Sequence, residues 1–108
     1  MNEKNQLKLK RRIGKVATDM VDGSMNYLEG ALELVSLRHE IGAYENDPDF
    51  VAFIAVAYEI DNLPIRNSRK QWSRNTLERH KLEIQQSIEW AKEFSLENCK
   101  SLAKRYNI

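Results

Sequence analysis

The sequence predicts an all-α protein: a single domain, 1–108, in which about five helices form a bundle around a central apolar helix at about 48–61. Three observations lead there. First, the run from Phe50 to Tyr58 is apolar at every position, so wound as a helix it has no polar face and calls for neighbours all round. Second, apolar residues outside it recur at spacings of three and four, the period of a helix with one buried face. Third, a chain that is 42% hydrophobic and 31% charged suits a highly charged helical domain rather than a disordered one. A chain of 108 residues is one domain by size, long enough to bury roughly two thirds of its unfolded surface.

The first helix is expected at about 4–21, with Leu9, Ile13, Val16, Ala17 and Met20 on one stripe. Asp22-Gly23-Ser24 breaks it, and Ser24 is the expected cap of a second helix at about 25–41. That helix carries Leu28, Ala31, Leu32 and Val35 inward. Gly30 inside it costs about 1 kcal/mol against alanine, which suggests a close helix crossing. Gly42 follows the last apolar turn, where a left-handed residue is expected.

For the central stretch a buried strand is the alternative, because Val51, Ile54 and Val56 are β-branched. Pro48 suits a first helical turn, Asp47 or Asn46 can cap it, and the alanines at 52, 55 and 57 are poor strand residues. Helix is therefore preferred, with Phe53 and Ile54 inaccessible. Pro64 ends it by forcing Leu63 out of the helical region. A fourth helix is expected at about 69–94, with one facet of Leu77, Ile84, Ile88 and Ala91 and a second of Leu82, Trp90 and Phe94. Ser95 is the expected cap of a short fifth helix with Leu96, Cys99, Leu102, Ala103 and Tyr106 inward.

The net charge of +1 conceals a segregation. Residues 1–18 hold six bases and one acid, residues 19–61 ten acids and one base, and residues 62–108 ten bases and five acids. Acidic and basic helices packed side by side would neutralise one another; alternatively, the acidic segment faces a basic partner. The longest apolar run is too short to cross a bilayer, and the basic N-terminus is followed by no apolar segment of the signal-peptide kind. With Cys99 as the one cysteine, no intrachain disulfide forms, and a cytoplasmic location is expected.

No stretch spells out a catalytic chemistry. His39 and His80 are not in metal-ligand spacing; His80 and Glu83 share a helix face but lack further ligands, so no metal is expected. Cys99 lies on an apolar stripe, as a buried structural thiol does, and the glycines never cluster into a phosphate-binding loop. Neither catalytic residues nor a cofactor are expected. A nucleic-acid site is the alternative function: Arg66, Arg69, Lys70 and Arg74 interleave with polar donors and Trp72, a pattern suited to phosphate contacts and base stacking. Against it, the domain is not basic overall.

The ordered set Leu37-Arg38-His39-Glu40, Asp47-Pro48-Asp49-Phe50, Glu59-Ile60-Asp61-Asn62-Leu63-Pro64, Arg69-Lys70-Gln71-Trp72 and Cys99-Lys100-Ser101-Leu102 resembles a family of small bacterial all-α proteins of unknown function. The resemblance implies a bacterial cytoplasmic protein and carries no catalytic residue. In size and composition such chains are similar to immunity proteins, which neutralise a toxin, including those of contact-dependent growth inhibition systems. The expected role is a non-catalytic protein–protein interaction: an antitoxin-like inhibitor that covers a basic toxin domain. Glu29, Glu33, Glu45, Asp47 and Asp49 would steer the partner, with Tyr44 and Trp72 as anchors. Arg38, Glu59, Asp61 and Arg69 are expected to form a structural clamp around the Leu63-Pro64 turn.

Overall fold

The structure, a computed structural model, describes residues 3–42, 47–61 and 74–108. Among the described residues there are four helices and no strand: α1 (Glu3–Asp22), α2 (Tyr27–Ile41), α3 (Pro48–Glu59) and α4 (Arg74–Arg105). None is long and apolar enough to cross a membrane. On α1, Gly14 lies against Tyr106, while Ala17 and Met20 meet Cys99, so α1 and α4 are antiparallel. On α3, Asp49 meets Asn98, Ser101 and Arg105, while Glu59 and Ile60 share a groove with Glu83 and Trp90, so α3 is also antiparallel to α4. Helix α2, joined by short links to α1 and α3, completes an up-down-up-down bundle.

The local signals act largely where the sequence puts them. Gly42 ends α2 in the left-handed conformation (φ 67°), its amide reaching back to the last turn. Asp47 caps α3, its carboxylate accepting from the Asp49 amide, with Pro48 in the first turn. The cap of α2 differs from expectation. It is Asn26 rather than Ser24, its side-chain oxygen accepting from the amides of Leu28 and Glu29 at 2.9 Å. Ser24 is consumed in closing α1: its amide donates to Asp22, Gly23 takes φ 93°, and the Met25 amide reaches the Asp19 carbonyl.

The fifth helix does not exist as a separate element. Helix α4 runs unbroken for 32 residues, and at about 1.5 Å per residue it spans the 46 Å long axis of the molecule. Ser95, the expected cap, sits fully buried inside it, its hydroxyl donating to the Ala91 carbonyl at 2.6 Å. A serine satisfied by the carbonyl four residues back has no need to leave the helix. Neither glycine nor proline occurs from 65 to 108 to end it. Ala91, Ser95, Cys99 and Leu102 then form one continuous buried stripe.

The apolar α3 is not the wrapped centre that its composition suggests. It packs on α2 and α4. Phe50, Phe53 and Val56 are fully buried and Ile54 half-buried, while Val51 and Tyr58 face outward. In a four-helix bundle every helix keeps an outer face. Here that face is apolar. The core itself joins Ile13, Val16 and Met20 of α1, Leu28, Ala31 and Leu34 of α2, Phe50 and Phe53 of α3 and Leu102 of α4. Gly30 is buried where α1 crosses α2, and a Cβ there would lie 2.7 Å from the Met20 methyl.

Candidate interaction surface

Two constellations connect α3 with α4, one at each end. At the start of α3, Asp47 and Asp49 meet Arg105 from the last turn of α4. The Arg105 guanidinium donates to Asp47 at 2.9 and 3.1 Å and to Asp49 at 2.8 Å. The Ser101 hydroxyl donates to Asp49 at 2.6 Å, and the Asn98 amide to the same residue at 3.1 Å. Both carboxylate side chains are only 14% exposed. The Arg105 hydrogen bonds, assisted by the Asp49 amide, hold the Asp47 carboxyl below the usual carboxylate range, with partial burial opposing them. Phe50 packs edge-on to Tyr106 beside this site at 6.2 Å.

Two residues expected to steer a partner, Asp47 and Asp49, are thus committed to an internal clamp. Glu33 is engaged as well, 3.6 Å from Arg12, and Glu29 is half-buried in the first turn of α2. Tyr44, Glu45 and Trp72 lie outside the described residues, as does Arg69 of the expected arginine clamp. No ion pair among the described residues joins Arg38 to Glu59 or Asp61. Arg38 is near the end of α2, whereas Glu59 and Asp61 are exposed at the end of α3, and the antiparallel pairing of those helices sets the two groups apart. The Arg38 Nε is buried and finds no hydrogen-bond partner among the described residues.

At the other end of α3 the surface is open and aromatic. Trp90 and Phe94, one turn apart on α4, stack with ring centroids 5.4 Å apart and planes inclined by 23°. The sequence groups them with Leu82 as a second apolar facet of the helix, and here Trp90 is 38% exposed, Phe94 49% and Leu82 68%. On α3, Tyr58 is 83% exposed. Between the helices lies an open groove of about 270 Å³ lined by Glu59, Ile60, Glu83, Gln86, Ser87 and Trp90. Glu83 holds His80 on its own helix, Nδ1 to Oε2 at 2.7 Å. Contiguous apolar side chains left in water and rimmed by polar ones mark an interaction surface, which scattered single ones do not. From sequence alone the signal was present, as a helix apolar all round, but an apolar facet does not declare whether its cover is a neighbouring helix or another molecule.

Other chemistry finds little support in the geometry. Among the described residues no group of three or more His, Cys, Asp or Glu side chains could hold a metal ion. Cys99 is fully buried, its thiol donating to the Ala17 carbonyl at 3.3 Å, and burial pushes it up to about 11. Tyr27, beside it, has a buried hydroxyl with no hydrogen-bond partner by geometry among the described residues; burial, with the neighbouring Cys99 adding, pushes it up to about 12. Neither group is poised for nucleophilic work. The chain matches no protein-family model, no curated protein and no solved structure.

Proposed function

We propose that the protein is a non-catalytic binding module of the immunity or antitoxin kind, which neutralises a basic toxin domain, of contact-dependent growth inhibition type, by covering its active site. One observation carries this: the groove between α3 and α4 sets Trp90, stacked on the exposed Phe94, beside the carboxylates of Glu59 and Glu83. Aromatic anchors within a charged border are the composition of a protein contact surface. The carboxylates would steer a basic partner into place, and the rings would hold it. Relative to the expectation from sequence, the binding face moves from the loop before α3 to the far end of the same helix, because Arg105 occupies Asp47 and Asp49.

Co-expression with the products of the adjacent reading frames tests the proposal. A stable complex with one of them, and protection of the host from its toxicity, is expected. If neither neighbour binds, while the protein retains RNA or DNA at moderate salt, the nucleic-acid alternative takes its place. That alternative has one structural support of its own: Lys4, Lys8, Arg11 and Lys15 are all exposed at spacings of three and four, along one face of α1.

A further inference from the structure

We infer that the groove between α3 and α4 receives an arginine side chain of the basic partner, gripped by Glu59 and Glu83 and stacked on Trp90. The inference rests on the function proposed above and names the chemistry of its contact.

Size narrows the occupant first. At about 270 Å³ the groove falls below the roughly 300–1,000 Å³ of sites that enclose a small-molecule ligand. A single side chain is what it can seat. Charge narrows it further: carboxylates come from both walls, Glu59 from α3 and Glu83 from α4, and among the described residues no cationic side chain lines the groove. His80 occupies one oxygen of Glu83 and leaves the other for a second donor. Lining the same space, Gln86 and Ser87 supply further oxygen acceptors, and Ile60 an apolar floor suited to an alkyl stem.

The aromatic wall decides between the two basic side chains. Trp90 is backed by Phe94, the two rings stacked with centroids 5.4 Å apart. A guanidinium is planar, weakly hydrated and able to stack on an indole while its edges donate to carboxylates on two sides. An ammonium is a point charge that satisfies one wall at a time and holds its water more tightly. Arginine fits the groove better than lysine.

The test uses blocked pentapeptides, Ac-Gly-Arg-Gly-Arg-Gly-NH₂ and its lysine and citrulline counterparts, titrated into the full chain. The readout is the Trp90 indole N–H resonance, assigned with Trp90→Phe. The arginine peptide should shift that resonance saturably, the lysine peptide more weakly, and the citrulline peptide not at all. Glu59→Gln together with Glu83→Gln should weaken arginine binding about 3- to 30-fold, from two partly exposed charge pairs, with an unchanged thermal midpoint showing that the fold is intact. A Trp90 signal indifferent to the arginine peptide, or equal responses to arginine and lysine, would overturn the inference. So would a dimer in sedimentation velocity that dissociates in the double variant, since the occupant would then be a second copy of this chain. Failure of the function and failure of the groove are separable. A toxin that binds the double variant as tightly as wild type sinks only the groove, whereas arginine capture without any toxin partner sinks only the toxin-neutralising role.

Discussion

Replacing Arg105 by alanine should lower stability by about 1–2.5 kcal/mol, and the structure fixes why the figure falls there. Arg105 makes three charge-assisted hydrogen bonds of 2.8–3.1 Å to two carboxylates at the start of α3. Its own side chain is 42% exposed, so solvent screening limits each ion pair to about 1 kcal/mol at most. The carboxylates, more deeply set, would be left facing each other without a cation, which adds a penalty beyond the lost bonds. Their position at a helix N-terminus offsets part of it. For a domain of this size, about 4–8 °C of melting temperature accompanies each kcal/mol, so Arg105→Ala should melt about 4–20 °C lower. Arg105→Lys should fall between, because lysine keeps the charge and loses the fork. The pH dependence supplies an independent reading. Asp47 has a depressed folded-state pKa, so its contribution is fully present above the ordinary carboxylate value near 4 and is lost as pH falls through the lower folded value. Thermal melts from pH 7 to 2.5 should therefore show a shallower acid loss in Arg105→Ala than in wild type. If Arg105→Ala melts within about 2 °C of wild type with the same acid profile, the clamp is a surface contact and Asp47 and Asp49 return to the pool of partner-facing acids.

Three further outcomes bear on the fold. Gly14→Ala gains about 1 kcal/mol of helix propensity, yet its Cβ would lie 2.9 Å from the backbone carbonyl carbon of Tyr106. Overpacking of about 1–3 kcal/mol should win, and a variant more stable than wild type in urea would show that α1 and α4 do not approach there. Phe53→Ala, at a fully buried position, should cost about 3–5 kcal/mol, read as a lower denaturation midpoint at an unchanged m-value. Cys99 and Tyr27 have raised folded-state pKa values, so their contribution is intact below the unfolded thiol value near 8.5 and is lost as pH rises toward about 11 and 12. Thiol labelling at pH 8 should accordingly track global unfolding; rapid labelling of the native protein would contradict the burial of Cys99.

The elements that were legible in the sequence were those set by local chemistry. Gly42, Asp47 and Pro48 act within a turn of where they stand, and each does what its residue type favours. Ser95 was ambiguous because serine serves both as a cap and, bonded to the carbonyl four residues back, as a helix interior. The spacing of Ala91, Ser95, Cys99 and Leu102 carried the better signal, since it continues one buried stripe through the supposed break. The clamp on Asp47 and Asp49 was not legible, because Arg105 lies more than fifty positions away and only the antiparallel packing of α3 on α4 brings them together. Trp90 and Phe94 were visible as an apolar facet, and Phe50 to Tyr58 as a helix without a polar side. What sequence does not encode locally is which of these facets the bundle leaves uncovered.

The contribution of Trp90 to a complex is the most direct measure of the central claim, that the outer face of α3 and α4 is where a partner binds. Trp90 is half-exposed and outside the core, so Trp90→Ala should leave the fold in place while removing the aromatic wall of the groove. With the toxin-type partner immobilised, the dissociation rate of the variant should exceed that of wild type by at least about 30-fold, the equivalent of a hot spot worth about 2 kcal/mol, with an association rate nearly unchanged. A dissociation rate within about twofold of wild type, for a folded variant, would contradict the claim and move the binding site to another face.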